Sequence, residues 1–221
     1  MIFEALEVGI YGANCYIAGS EETHEAAIID PGAEFNKINN KISDMGVTPK
    51  IVILTHYHDD HYDGIIKIAK SREVGKVYLP DHENYIRNIL SDKLNKMGVR
   101  IEYIKKGWEI KNYGCVLKAV GPIHKSGTVE NNNSIVLQGK INGLKYIFAG
   151  DCERSEEEDM LKADEHYVEQ LKNLKVDFIA YQDEVGCVRD KFPIPRLKQN
   201  WKRVRAIHNK LNIEMWANCE T

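Results

Sequence analysis

Apolar and polar residues along this chain form two kinds of pattern, short β-rich runs and stretches with helical spacing. Three strand-like runs come first, strands and helices then alternate, and further strand-like runs follow in the second half. Elements mixed in this order predict an α/β (α+β) fold of two packed sheets with helices on the outer faces. The predicted strands cover 2–8, 14–19, 25–30, 50–55, 76–80, 101–104, 115–120, 134–140, 144–150, 176–181 and about 213–217, and the predicted helices cover about 34–45, 63–71, 82–97, 155–172 and 196–210.

The chain shows no internal repeat, low-complexity segment or linker, so we predict a single domain over residues 1–221. Its 221 residues with 43% hydrophobic content can bury a sizeable core. The formal net charge of −3 gives the whole molecule no general attraction for nucleic acid or an anionic membrane. No run approaches the roughly 20 apolar residues that span a bilayer, and the five cysteines are scattered, as is typical of a reduced compartment. We therefore expect a cytoplasmic protein without a membrane partner.

The stretch ILTHYHDDHYDG, residues 53–64, places three histidines and three aspartates directly after a predicted buried strand. His56 and His58 are two positions apart, so their imidazoles can converge on one metal ion. Asp60 and His61 can bind a second ion. Neutral imidazole and carboxylate bind Zn²⁺ and also suit Mn²⁺ or Fe²⁺, and two such ions about 3.5–4 Å apart can share an activated water. The alternative is a polar strand end with chance histidines, but so many ligand types in one frame favour a site for one or two metal ions.

The segment T-H-Y-H-D-D-H at 55–61 resembles the signature of the metallo-β-lactamase superfamily. The segment AAIIDPG at 26–32 resembles the strand and turn that precede that signature, and the resemblance extends over most of the chain. It implies a four-layer αβ/βα sandwich with the metals at one edge, between the two sheets. It also implies a further histidine for the first metal and a bridging aspartate, both downstream of the motif.

Two downstream residues match these implied ligands. His124 lies in a loop after a predicted strand, within VGPIHKSGTVENNNSIVLQ at 120–138, where the resemblance places the third histidine of the first site. Its alternative role is that of an ordinary surface histidine. Asp151 ends the apolar run YIFAGD, and an ionised aspartate at a buried strand end is costly unless it pairs, hydrogen-bonds or binds a metal. We assign Asp151 as the bridging carboxylate, with a helix N-cap as the alternative.

Different parts of the chain resemble two branches of the superfamily. The N-terminal third resembles glyoxalase II-type thioesterases, whereas NNNSIVLQ and YIFAGDCERSEEEDML are similar to the nuclease-like domain of bacterial DNA-uptake competence proteins. In the second branch, a strand of the DFIAY kind is followed by a His-His-Gly-Ser run that supplies the last metal-site histidine. Here the same register reads Asp183-Glu184-Val185-Gly186, so that histidine is absent.

The missing histidine changes the expected second site. A carboxylate from Asp183 or Glu184 would make it richer in oxygen, which favours Mn²⁺ or Mg²⁺ over Zn²⁺ there or leaves it empty. His208 is an alternative replacement within the basic stretch 196–210. In the resulting assignment the first metal binds His56, His58 and His124, the second binds Asp60, His61 and Asp183, and Asp151 bridges the two.

The predicted chemistry is hydrolysis by a metal-bound hydroxide, with Asp60 also able to orient the water as a base. The competence-type middle section and the basic residues between 189 and 210 favour a phosphodiester substrate, either a small molecule or nucleic-acid-like. That basic strip can also be a solvated helix face. Two other functions stay open. A thioester hydrolase is favoured by the N-terminal third, and a non-catalytic protein that binds a metal or ligand is favoured by the lost histidine.

Overall fold

Two β-sheets pack against each other, and three helices cover the outer face of the first sheet. The computed structural model describes residues 2–112, 115–141, 144–163 and 178–180. The strands within those residues are β1 (Ile2–Val8), β2 (Ala13–Gly19), β3 (Glu25–Ile29), β4 (Thr48–Ile53), β5 (Lys76–Pro80), β6 (Arg100–Ile104), β7 (Glu109–Asn112), β8 (Cys115–Gly121), β9 (Val136–Ile141), β10 (Leu144–Phe148) and β11 (Phe178–Ala180). The α-helices there are α1 (Phe35–Asp44), α2 (Asp59–Tyr62), α3 (Ile65–Ser71), α4 (Tyr85–Lys96) and α5 (Arg154–Ala163), and a 3-10 helix covers Glu130–Asn133.

The first sheet has the strand order β1-β2-β3-β4-β5-β6. Strands β1 to β3 form an antiparallel meander, whereas β3 to β6 run parallel. Parallel neighbours need crossover connections, and here α1, then α2 with α3, and then α4 supply them. These crossovers bury apolar side chains such as Ile38, Ile68 and Leu90 against one face of the sheet. Because β3 to β6 are parallel, their carboxyl ends lie at the same edge of the first sheet.

The second sheet has the order β11-β10-β9-β8-β7, with antiparallel pairing except between β10 and β11. It packs against the other face of the first sheet in a core that includes Tyr16, Ile53, Leu137 and Phe148. Full burial of an aliphatic or phenylalanine side chain contributes roughly 1.5–3 kcal/mol. Helix α5 packs against β8 of the second sheet. The predicted α/β architecture of two packed sheets with helices is confirmed.

The sequence pattern predicts most of the described elements and misses three short ones. Strand β7, helix α2 and the 3-10 helix escape it because each has only four residues, most of them polar. Residues 164–172 of one predicted helix, the predicted helix 196–210 and the predicted strand near 213–217 lie outside the described residues. The single domain over 1–221 stays a prediction. None of the helices in the described part of the chain has the length and apolar character needed to cross a lipid bilayer.

Two glycines allow the turn after β3 to cross the segment after β4 at very short range. A Cβ on Gly32 would lie 1.6 Å from the carbonyl oxygen of Asp60, and one on Gly64 would lie 2.4 Å from the carbonyl oxygen of Pro31. The Gly64 amide donates a hydrogen bond to the same Pro31 oxygen at 2.8 Å. Because neither position has room for a side chain, the two segments fix each other's path at the edge of the first sheet.

Candidate metal centre

Three strand ends meet at one edge of the sandwich, and polar residues follow each of them. β3 and β4 are parallel neighbours, so Asp30 and His56 leave the first sheet at the same edge. Gly150 brings the end of β10 in the second sheet against them, since a Cβ there would lie only 2.8 Å from Thr55 Oγ1. Asp30, Thr55, His56 and Asp151 are all buried. Polar side chains buried in this way need partners.

The side chains at this edge form two groups of potential metal ligands that share one residue. The first group is His56, His58 and Asp151, and the second is Asp60, His61 and Asp151; within each group the ligand atoms lie within 4.8 Å of one another. One oxygen of Asp151, Oδ2, lies 3.8 Å from His56 Nε2, and the other, Oδ1, lies 3.2 Å from His61 Nε2. Each carboxylate oxygen therefore faces a different group, as a carboxylate that bridges two cations requires.

The Asp30 carboxylate orients two of the rings from behind. It accepts hydrogen bonds from the Thr55 amide and from Thr55 Oγ1, both at 2.7 Å, and its Oδ2 lies 3.1 Å from His61 Nδ1. Because Thr55 Oγ1 gives its proton to Asp30, it accepts from His56 Nδ1 at 3.2 Å. With protons on Nδ1, both rings present Nε2 to the centre, where His56 Nε2 lies 3.1 Å from His58 Nδ1 and His61 Nε2 lies 3.2 Å from Asp151 Oδ1. This second layer of hydrogen bonds is the usual way in which metal-binding histidines are held.

Two buried atoms of the centre lack a hydrogen-bond partner among the described residues, namely His61 Nε2 and Asp151 Oδ1. They lie 3.2 Å apart, close enough for an ion pair but without the geometry of a hydrogen bond. An unsatisfied buried polar atom costs about 1–3 kcal/mol, and more when it is charged. A divalent cation would satisfy both atoms, and imidazole with carboxylate is a donor set that Zn²⁺, Mn²⁺ and Fe²⁺ accept. The residues therefore fit a metal.

The pKa shifts of the buried histidines and of Asp60 are consistent with a metal site. Burial, with the neighbouring rings of His61 and His58, holds the pKa of His56 well below its usual value, so this imidazole is neutral and able to bind a metal. Burial acts in the same direction on His61, but the Asp30 and Asp151 carboxylates outweigh it and raise the pKa of His61 to about 10. Burial, together with the Asp151 carboxylate, raises the pKa of Asp60. A bound cation would supply the positive charge that a proton on His61 otherwise supplies.

Glu130 connects the motif to the neighbouring loops, and its position in the polar stretch TVENNNS gave no sequence signal for this role. Its Oε1 accepts a hydrogen bond from the Tyr57 amide at 2.9 Å and lies 3.0 Å from His82 Nε2, while its Oε2 accepts from Asn84 Nδ2 at 3.3 Å. Burial alone would raise the pKa of Glu130, but the hydrogen bonds from His82 and the Tyr57 amide hold it below its usual value. The carboxylate thus fixes the backbone between the first two histidines of the motif.

The structure brings together five of the seven predicted ligands: His56, His58, Asp60, His61 and Asp151. His124 is exposed in the loop after β8 and belongs to neither ligand group within the described residues. The buried Glu156 carboxylate holds this loop by accepting hydrogen bonds from the backbone amides of Ile123 and His124. The ligand role of His124 stays a prediction. That of Asp183 also stays a prediction, because Asp183 lies outside the described residues.

Replacing Asp30 with asparagine should weaken Zn²⁺ binding by about 10–100-fold, the usual effect of losing a carboxylate behind a metal-binding histidine. The amide keeps the size of the side chain but removes the charge that orients His61. Competition with a chromophoric chelator measures the affinity. Asp63→Asn is the matched control, because Asp63 is exposed and contacts Lys67 rather than the centre. Equal affinities in the two variants would contradict the role given to Asp30.

Comparisons with known proteins agree with this geometry. A family model described as the metallo-beta-lactamase superfamily matches residues 8–185. The Bacillus subtilis protein named "Probable metallo-hydrolase YqgX" is 35% identical over 127 residues, which cover 56% of this chain and 57% of that protein. A probable hydroxyacylglutathione hydrolase of Schizosaccharomyces pombe is 30% identical over 90 residues, which cover 39% of this chain and 35% of that protein.

Solved structures show the same fold. The crystal structure of a metallo-beta-lactamase from Staphylococcus aureus superimposes with a TM-score of 0.54 at 20% identity, over 78% of this chain and 52% of that one. At this identity the likeness concerns the fold alone. The matches span between about a third and somewhat more than half of the length of the two curated relatives.

Proposed function

Because the chain belongs to the metallo-β-lactamase superfamily, we propose that the cluster around Asp151 is the active site of a metal-dependent hydrolase. The observation that supports this most directly is the buried Asp151 carboxylate, whose two oxygens face two separate groups of ligands. We propose Zn²⁺ for the group of His56 and His58. For the group of Asp60 and His61 we propose Zn²⁺, Mn²⁺ or Fe²⁺, since its donors include one more carboxylate.

Divalent cations bound by these residues would acidify a water and polarise the scissile carbonyl or phosphoryl oxygen. The chain supplies the remaining functions. Asp60 has its Oδ2 atom 3.7 Å from His61 Nε2 and is partly open to solvent, so it can accept a hydrogen bond from the attacking water and orient it. Its raised pKa moves it toward the range in which a carboxylate acts as a base. Asp30 and Thr55 keep the His61 and His56 rings in place during the reaction.

We favour a phosphodiester as the substrate class, because the segments NNNSIVLQ and YIFAGDCERSEEEDML resemble the nuclease-like domain of competence proteins. Cations held on both sides of Asp151 would stabilise the attacking and the leaving oxygen of a phosphoryl group. The basic segment 189–210, which favours the same substrate class, lies outside the described residues, and its contact with substrate stays a prediction. The cytoplasmic location also stays a prediction.

A thioester is the second candidate substrate, because one of the similar proteins is named a hydroxyacylglutathione hydrolase. The same cluster can polarise a thioester carbonyl, and no Ser or Cys nucleophile is needed in either reaction. A protein that binds metal without hydrolysing a substrate is the third candidate. The missing final histidine supports it, since a weakened second group could hold an ion or ligand without turnover.

We expect protein purified without chelator to contain about two equivalents of transition metal, since protein metal sites bind far more tightly than buffers do. Elemental analysis measures the content, and cleavage of bis(4-nitrophenyl) phosphate is compared with cleavage of S-lactoylglutathione before and after metal removal. Faster, metal-dependent cleavage of the phosphodiester is the expected result. Faster cleavage of the thioester favours the second candidate, and metal binding without turnover favours the third. Less than about 0.2 equivalents, with no uptake on reconstitution, would contradict the metal centre itself.

A further inference from the structure

A cavity of about 150 Å³ opens beside the metal centre, at the edge where the strands of both sheets end. It lies among the segments that follow β5, β6 and β8 and the segment that leads into β9. Strand β5 is the parallel neighbour of β4, so its end lies at the same edge as His56. The lining residues are Asp81, His82, Ile104, Lys105, Lys106, Pro122, Ile123, Lys125, Asn133 and Ile135.

The lining combines an apolar part with an excess of positive charge. Three isoleucines and a proline supply the apolar surface, and the charged lining residues are three lysines and one acid, Asp81. Lys105 lies 3.7 Å from that carboxylate. Within the described residues, neither Lys106 nor Lys125 has an ion-pair partner. A concave surface lined mainly by one sign of charge concentrates the field of that charge and attracts the opposite one.

Two of the lining residues, His82 and Asn133, lie next to residues of the metal centre. The ring of His82 packs against Tyr57, the residue between His56 and His58, with ring centroids 5.0 Å apart. On the other side, Asn133 precedes Ser134, whose Oγ accepts a hydrogen bond from the Asp151 amide at 3.2 Å. A molecule whose reacting bond lies at the metal ligands could therefore extend into the cavity.

We propose that this cavity binds an anionic group of the substrate, a carboxylate or a phosphate, that is separate from the bond being hydrolysed. The inference rests on the proposed hydrolase function. Lys106 and Lys125 attract the anion, and the apolar side chains contact the few carbon atoms that carry it. A cavity of about 150 Å³ accepts a group the size of benzene, which sets the size of this part of the substrate. Substrates that carry such a charged end should be preferred over neutral ones.

Binding can be tested without turnover, in the metal-loaded protein, by following isoleucine δ1-methyl signals in NMR spectra. Benzenesulfonate is the anionic probe, and methyl phenyl sulfone is its neutral counterpart of similar size. We expect benzenesulfonate to shift the signals of Ile104, Ile123 and Ile135 in a saturable way, and the sulfone to shift them much less. In a Lys106→Gln/Lys125→Gln variant the dissociation constant should rise at least about fivefold, the scale of two partly exposed ion pairs. Lys96→Gln is the control, because Lys96 pairs with Asp92 on α4.

A second measurement compares hydrolysis of two substrates that differ only in a carboxylate distant from the reacting bond. The ratio of kcat/KM for the charged over the neutral substrate should fall about fivefold in the double variant and stay unchanged in the control. Absence of the methyl shifts, or equal shifts with the neutral probe or in the double variant, would overturn the proposal. Methyl shifts in a protein that hydrolyses neither substrate would instead count against the proposed hydrolase while supporting the anion site.

Discussion

Replacing Asp151 with asparagine should lower kcat/KM by about a thousandfold or more, while the metal-free protein still folds. The amide has the same size, and the backbone amide of residue 151 keeps its hydrogen bond to Ser134. What is lost is the charge that two cations share, so metal content should fall along with turnover. A thousandfold loss corresponds to about 4 kcal/mol of transition-state stabilisation.

The comparison that tests this expectation uses Glu158→Gln, which removes a carboxylate from an exposed ion pair with Arg154 on α5. Rates are measured on the substrate that the parent protein cleaves best, with metal analysis of each sample. The control should retain parental activity and metal. Activity of Asp151→Asn within about threefold of the parent would show that Asp151 is structural and would remove the basis for a bridged pair of metals.

Replacing Gly32 with alanine should reduce the free energy of unfolding by about 3 kcal/mol or more and also weaken metal binding. A Cβ at this position would lie 1.6 Å from the Asp60 carbonyl oxygen, which is a main-chain atom and cannot rotate away. Either the turn after β3 or the first turn of α2 must therefore move. Because α2 carries Asp60 and His61, the displacement reaches the second ligand group.

Gly46→Ala is the matched control for this prediction. Gly46 has a φ of +63°, so alanine there adopts an unfavourable left-handed conformation, but no atom lies within 4 Å of the added methyl. Its destabilisation should stay near 1–2 kcal/mol. Guanidinium unfolding of both variants gives the two free energies. If Gly32→Ala unfolds no more easily than Gly46→Ala, the crossing at Asp60 is not the constraint that we infer.

The sequence is most informative where the chemistry is local in the chain. His56, His58, Asp60 and His61 lie within six residues, so their spacing alone indicates a metal site. Asp151 is distant in sequence but gives a physical signal, because a charged residue directly after an apolar strand needs a partner. Asp30 directly follows the apolar strand β3 and carries the same signal.

Other parts of the site depend on tertiary contacts that no sequence pattern reveals. Glu130 and Thr55 act through hydrogen bonds to residues brought close only by folding, and Glu130 stands in a polar stretch that looks like any surface loop. The cavity beside the centre is built from several loops, so its three lysines are unremarkable when they are read along the chain. The ligand role of His124 stays a prediction that rests on a resemblance, and its side chain is exposed in the loop after β8.

The ligands come from both sheets, since His56 to His61 follow β4 and Asp151 follows β10. A cation held by Asp151 and a histidine is thus a cross-link between two distant parts of the chain, and it forms only when the sheets are docked. Binding confined to the folded state adds about 4 kcal/mol at a thousand times the dissociation constant, a large share of the 5–15 kcal/mol typical of a domain. Metal supply would then govern the lifetime of the protein, because metal-starved molecules open more often and are removed by proteases.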